Sequence, residues 1–200
     1  MEKVLKKIIF ATGNNGKLKE VQQIFEGTKL QIVPMSELGS IPEIEEDGDT
    51  FEDNALKKAK FIFNKFGLPT IADDSGLSIE QLGGRPGVYS ARYAGEDCTF
   101  EDNNKKVLDE LKDFPAPHKA QFLSYAIYFD GRNIHSAIGK LPGEIINEIR
   151  GDKGFGYDPI FVPEGFNITL AEMELEEKNK ISHRAKAFNE LKQILLTTEV

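Results

Sequence analysis

The stretch KIIFATGNNGKLKEVQQIF, residues 7–25, decides the fold class of this chain. Its β-branched and aromatic run Ile8-Ile9-Phe10 has the composition of a buried strand. After Thr12-Gly13-Asn14-Asn15-Gly16 the apolar residues Leu18, Val21, Ile24 and Phe25 recur at helical spacing. The reading is a strand over Lys7 to Thr12, a glycine-containing loop, and a helix over Lys17 to Glu26. The same change of period repeats downstream. Leu30 to Val33 reads as a strand, and Thr50 to Phe66 as a helix with Thr50 and Asp53 in a capping-box pattern and Ala55, Ala59, Ile62 and Phe66 along its apolar stripe. Pro69 to Ala72 reads as a short buried strand that ends in Asp73-Asp74-Ser75-Gly76. Thr99 to Lys112 is a second capped helix, with Thr99 and Asp102 in the box. Gln121 to Phe129 is apolar on both faces, the pattern of a central strand. Ser182 to Leu196 is the last helix, with Ser182 at its N-cap and Ala185, Phe188, Leu191 and Ile194 toward the core. Strands and helices alternate early and strands follow one another in the middle, which predicts an α/β fold with a mixed sheet. No repeat or long linker interrupts the chain, so a single domain over residues 1–200 is expected.

Composition narrows the function. The 200 residues are 40% hydrophobic and 29% charged, values ordinary for a globular protein with a full core. No apolar run approaches the roughly 20 residues that cross a bilayer, and the charged segment Met1 to Lys7 leads into too short a run for an export signal. A single cysteine, Cys98, excludes an internal disulfide framework and a zinc site built on Cys pairs, and fits a cytoplasmic setting. The net charge of −8 argues against a nucleic-acid backbone as partner, because such binding draws its affinity from neutralised phosphates. An acidic protein can still hold a phosphorylated small molecule through a few placed cations, helix N-termini, or a carboxylate-bound divalent ion.

Four clusters carry chemistry of that kind. In Thr12-Gly13-Asn14-Asn15-Gly16-Lys17 the glycines let backbone amides approach an anion, and the helix that follows adds its unpaired N–H groups. A Walker A loop is excluded, since Ala11 and Leu18 stand where that motif needs Gly and Ser or Thr; a simple strand-to-helix turn is the alternative. In Ala72-Asp73-Asp74-Ser75-Gly76, two adjacent carboxylates after a buried strand repel each other unless a cation or donors compensate, so one can hold Mg²⁺ and position a water; an acidic turn is the alternative. The run from Glu43 to Asp53 reads as a solvated face, or, if it folds against Asp74, supplies a second metal ligand, for which Glu46 is the candidate. The fourth cluster is split. Gly154-Phe155-Gly156-Tyr157-Asp158-Pro159 sets a ring between two glycines, where it can stack on a base or fill the core. Lys178 and Ser182-His183-Arg184 come later, and cationic side chains at a helix start call for an anion or an acceptor-rich ligand.

These residues, with Gly83-Gly84-Arg85-Pro86-Gly87-Val88-Tyr89-Ser90-Ala91-Arg92-Tyr93 and Ala72-Asp73-Asp74-Ser75-Gly76-Leu77, resemble the inosine triphosphate pyrophosphatase family in order and over nearly the whole chain. The resemblance implies an elongated mixed sheet with flanking helices in two lobes around a central cleft, in a homodimer. It implies Mg²⁺-dependent hydrolysis of inosine and xanthosine triphosphates and their deoxy forms to the monophosphate and pyrophosphate. By position, Thr12, Asn14 and Lys17 would hold the triphosphate together with the loop residues Gly13, Asn15 and Gly16. Asp74 would accept a proton and bind Mg²⁺, and Ser75 would touch substrate. Phe155 would stack on the base with Gly156 and Tyr157 around it, while Asp158, Lys178, His183 and Arg184 would read its edge. Two other readings are carried alongside. One is a Maf-like pyrophosphatase for modified or pyrimidine nucleotides, whose first loop carries Ser and Arg where this chain has Gly13-Asn14 and Lys17. The other is a non-catalytic nucleotide-binding module.

Overall fold

A computed structural model describes residues 6–39, 41 and 44–198. Most of the charged start, Met1 to Leu5, and Glu43 of the acidic run lie outside the described residues. In chain order the described strands and α-helices are β1 (Lys6–Phe10), α1 (Asn15–Phe25), β2 (Leu30–Pro34), α2 (Phe51–Phe66), β3 (Thr70–Ile79), α3 (Phe100–Leu111), β4 (His118–Phe129), β5 (Ile134–Ile145), β6 (Phe161–Pro163), α4 (Leu175–Ile181) and α5 (His183–Thr197). Among the described residues the strands form one mixed sheet in the order β2-β1-β3-β4-β5-β6, with β1 parallel to β2 and β3, and β5 antiparallel to β6. This is the α/β mixed sheet expected from the alternation of periods. None of the described helices is long and apolar enough to cross a membrane.

The chain divides into two compact units. The first comprises Met1–Asp74, Ser124–Gly139 and Arg184–Val200; the second comprises Ser75–Leu123 and Lys140–His183. In the first unit the sheet is covered on both faces, and the period of two along each strand sorts its residues between them. Ile8, Phe10 and Ile71 pack with Val21, Ile24 and Phe25 of α1 and with Ala185, Phe188 and Leu191 of α5. Ile9, Ala11 and Ala72 point the other way, into Ala55, Ala59 and Ile62 of α2. In the second unit Leu77, Ile79, Val107, Leu111, Phe122, Leu141 and Phe161 form one core.

The caps explain where the helices begin. Thr50 accepts from the Asp53 amide, and Thr99 and Asp102 close a reciprocal box. Gly67, at φ 68°, ends α2 in the left-handed conformation that glycine adopts without penalty.

Several boundaries depart from the sequence reading. The strand expected to stop at Ala72 runs on to Ile79, so Asp73 and Asp74 sit inside β3 rather than beyond its end. Buried lysine, arginine and asparagine side chains balance them there, which lets acidic residues occupy a strand interior. Gln121 to Phe129 is buried on consecutive positions only at Ala126–Tyr128 and alternates before that. At the end of α5 it is Leu195 rather than Ile194 that is fully buried. Ser182, expected at the N-cap of the last helix, is the C-cap of the short helix α4 and directly precedes α5.

Candidate functional site

The first unit holds two charge clusters, and strand geometry separates them. Asp73 and Asp74 are neighbours in β3, so their side chains leave opposite faces of the sheet. The mutual repulsion expected from their adjacency is thereby relieved, since each carboxylate meets its own partners. Asp73 shares the face of Ile71 and meets α1 and α5. Lys17 Nζ lies 3.3 Å from its Oδ1 and 3.2 Å from its Oδ2, and Arg184 Nε donates to Oδ2 at 3.1 Å. Arg184 Nη1 donates in turn to Glu20 at 2.6 Å. Glu20, Asp73 and Arg184 are each no more than 2% exposed. Burial alone would raise the Asp73 carboxyl, but the charges of Lys17, Arg184 and Lys58 outweigh it and hold the group well below the ordinary carboxylate range. The Lys17 amine is pushed down by its burial, with Asp73 offsetting part of the effect. A buried counter-ion thus compensates the positive charge of Lys17 in the first turn of α1, where a lysine is mildly unfavourable to the helix itself.

Asp74 shares the face of Ala72 and meets α2. Asn54 Nδ2 donates to its Oδ2 at 3.0 Å, and Lys58 Nζ lies 3.9 Å from its Oδ1 and 3.0 Å from Glu46 Oε2. Burial pushes the Asp74 carboxyl above its ordinary value; Lys58 and Lys17 oppose that, Glu46 adds to it, and the Asn54 hydrogen bond opposes it. Glu46 and Asp74 therefore share one cation, with Glu46 still 37% exposed at its side chain. Two carboxylates already drawn to one positive charge, one of them open to solvent, fit a hard divalent ion that completes its shell with water and phosphate oxygens. Among the described residues, no group of three or more His, Cys, Asp or Glu converges as a protein-only metal cage.

The loop between β1 and α1 is fixed by its own side chains. Asn14 caps α1, its Oδ1 accepting from the amides of Gly16 at 2.8 Å and Lys17 at 3.1 Å, while Thr12 Oγ1 accepts from the Asn14 amide. These three amides are committed within the loop, so they are not the open anion cradle read from the sequence. Gly13 has no positive φ, and a Cβ added there would meet only Met35 Cε at an ordinary 3.7 Å. Local conformation therefore does not demand glycine at that position.

The second unit holds the other group of expected site residues. Lys178 Nζ contacts Asp158 Oδ2 at 2.6 Å, both side chains being 4% exposed, and lies 4.7 Å from the centre of the Phe155 ring. The Phe155 amide donates to the same Asp158 oxygen at 2.9 Å. Asn104 Nδ2 donates to the Gly156 carbonyl at 3.0 Å, and the buried Tyr157 donates its hydroxyl to the Ser90 carbonyl at 2.8 Å. His183 stacks on Phe122 with ring centres 4.7 Å apart and 9° between planes. Ser75 is half-buried in β3 of this unit. Phe155, Tyr157, Asp158, Lys178 and His183 thus share a unit, whereas Arg184, one residue beyond His183, belongs with Lys17, Asp73 and Glu20 in the other.

Gly154 is a position where glycine is required twice. Its φ is +75°, and a Cβ built on it would collide with Asp158 Oδ2. Gly154→Ala is expected to lower stability by about 1–3 kcal/mol for the left-handed backbone, and by roughly 1.5–3 kcal/mol more for the displaced charged contacts. Gly165→Ala is the control, since Gly165 has φ +83° with nothing near the missing Cβ. Thermal unfolding of the two variants side by side isolates the collision, and equal losses would show that Asp158 adapts freely.

Three partners escaped the sequence reading: Glu20, Asn54 and Lys58. Each sits on the buried face of an amphipathic helix, among Val21 and Ile24 in α1 or Phe51, Ala55 and Ala59 in α2. A charged or amide side chain in phase with an apolar stripe is a detectable signal, and Asn54 and Lys58, one turn apart, give it twice.

The fold and site define an α/β protein with cation-balanced carboxylates in one unit and an aromatic, lysine–aspartate centre in the other. The Ham1 family matches residues 8–194, and the chain belongs to that family. It is 47% identical over 192 residues to the dITP/XTP pyrophosphatase of Porphyromonas gingivalis, covering 96% of this chain and 98% of that one. It is 46% identical to the dITP/XTP pyrophosphatase of Bacillus subtilis, with coverage of 96% and 98%. The solved HAM1 protein from Coxiella burnetii superposes with a TM-score of 0.87 at 38% identity, over 98% of this chain and all of the other. The Maf-like alternative yields to this membership.

Proposed function

We propose that the chain hydrolyses deaminated purine nucleoside triphosphates (inosine and xanthosine triphosphates and their deoxy forms) to the monophosphate and pyrophosphate, clearing them from the nucleotide pool. The observation that carries this reading is the contrast between two adjacent aspartates: one locked as a counter-ion, the other left with a raised proton affinity beside Glu46. Membership in the Ham1 family and the names of the relatives support the substrate class.

In this reading Lys17, with Thr12, Asn14 and the loop residues Gly13, Asn15 and Gly16, binds the triphosphate, and Ser75 touches it. Asp74 takes the proton of the attacking water, as a carboxylate made more basic by burial can do near neutral pH. Water adds to the α-phosphorus and the bond to the bridging α–β oxygen breaks, releasing pyrophosphate. Asp74 and Glu46 would hold Mg²⁺, which would supply charge neutralisation on the phosphate oxygens. Phe155 stacks on the base within the turn formed with Gly156 and Tyr157. Lys178 donates to the 6-keto oxygen, with Asp158, His183 and Arg184 completing the readout. Adenine presents a 6-amino donor where Lys178 requires an acceptor, so the wrong base leaves polar groups unpaired. Residues 1–200 are read as a single domain in a cytoplasmic homodimer, with no nucleic-acid or membrane partner.

The test is pyrophosphate release from inosine triphosphate, with ATP and GTP in parallel, with and without Mg²⁺. Mg²⁺-dependent release from inosine triphosphate alone is the expected result. Equal release from all three would remove the base readout, and release from none would favour the non-catalytic module.

A further inference from the structure

Phe100 is the first residue of α3, and 49% of it is exposed to solvent. Nothing in the core explains this large apolar side chain, since the buried face of α3 is formed by Asn103, Asn104, Val107 and Leu111. Its ring centre lies 6.2 Å from that of Phe155, with 41° between the planes. Phe155 is half-buried, and Lys178 Nζ stands 4.7 Å from the centre of its ring. The turn beneath Phe155 is tied to the same helix, because Asn104, one turn beyond Phe100, holds the Gly156 carbonyl. The two rings are therefore carried by elements fastened to each other. A purine is a bicycle, wider than one phenyl ring, and a single half-buried phenylalanine covers only part of it. An exposed second ring within aromatic contact distance of the first extends that surface.

We propose that Phe100 is a further substrate-binding residue that supplies a second aromatic contact to the purine base. The inference rests on the reading that Phe155 stacks on the base. Every purine has the same π-face, so a stacking contact strengthens binding of all purine nucleotides alike and leaves discrimination at the 6-position to Lys178 and Asp158.

The chain contains no tryptophan, so Phe100→Trp installs a unique indole fluorophore at this position. Titration with inosine monophosphate is expected to quench or shift its emission, and titration with ribose 5-phosphate, which lacks the base, is expected to leave it unchanged. In steady-state assays Phe100→Ala is expected to raise KM for inosine and xanthosine triphosphates by about five-fold with kcat nearly unchanged. Phe100→Trp should restore KM. Phe155→Ala, measured alongside, separates the two claims. A raised KM in Phe155→Ala, with no change in Phe100→Ala and a silent indole, overturns the second contact and keeps the stacking ring. Unchanged KM in both variants overturns the reading on which the proposal rests. A fall in kcat at constant KM for Phe100→Ala assigns Phe100 to structure instead and also refutes the proposal.

Discussion

Asp74→Asn is expected to lower turnover by about 10²–10⁴-fold, the range associated with losing a positioned acid–base group, without loss of stability. The substitution preserves shape, and the new amide can still accept from Asn54 Nδ2 through its oxygen. It removes the negative charge that attracts Lys58 and that would help Glu46 hold a divalent ion, and it removes the site that takes the proton from water. The stability sign follows from the direction of the shift. A carboxyl whose affinity for a proton is higher in the folded than in the unfolded chain disfavours the fold once pH exceeds its ordinary value. The neutral amide lacks that cost, so the melting temperature should hold or rise at neutral pH. Such a trade, in which an active group is kept at the expense of stability, is common at catalytic positions. Pyrophosphate release at saturating Mg²⁺ and substrate, with thermal unfolding of the same preparation, gives both readouts. Turnover within a few-fold of the parent would remove Asp74 from the chemistry.

The division of labour between Asp73 and Asp74 was within reach of the sequence, and the reason it was missed is physical. Four polar or small residues in a row, Asp73-Asp74-Ser75-Gly76, read as the end of a strand because isolated acids in a sheet interior are costly. The cost is removed by Lys17, Arg184, Asn54 and Lys58, which lie far along the chain from the acid that each meets: Asn54, one turn before Lys58 in α2, is 20 residues from Asp74, Lys17 is 56 from Asp73 and Arg184 is 111 from Asp73. Once the strand is known to continue, parity assigns the faces without further information: Asp73 goes with Ile71 and Asp74 with Ala72. Local signals behaved differently. The caps at Thr50 and Thr99, the stripe of α2 and the first strand–loop–helix unit depend on neighbours within a few residues, and their positions agree with the sequence reading to within about two residues. The ion pair of Lys178 with Asp158 was legible only as a grouping by resemblance, because nothing local to either residue announces a partner 20 positions away.

Asp73→Asn is expected to act on the fold rather than first on the reaction. Both Asp73 oxygens face cations, and the side chain is wholly buried. Removing the charge leaves Lys17 and Arg184 in a buried site with Glu20 as their remaining close anion, and breaking a buried pair in this way costs about 3–5 kcal/mol. At roughly 2–4 °C per kcal/mol for a chain of this size, the melting temperature should fall by about 10 °C. The pH dependence has a definite sign. Asp73 is more acidic in the folded than in the unfolded chain, so it contributes stability above the ordinary carboxylate value and loses it on acidification toward its folded value. The deficit of Asp73→Asn should therefore be full at neutral pH and shrink in strong acid. Adding Lys17→Met should recover part of the loss, since it leaves the 2.6 Å Arg184–Glu20 pair as a balanced unit. It should not restore turnover, because Lys17 is also proposed to bind the triphosphate. Equilibrium unfolding of the single and double variants across pH measures these quantities. A stable Asp73→Asn protein beside an unstable Asp74→Asn protein would exchange the roles of the two aspartates.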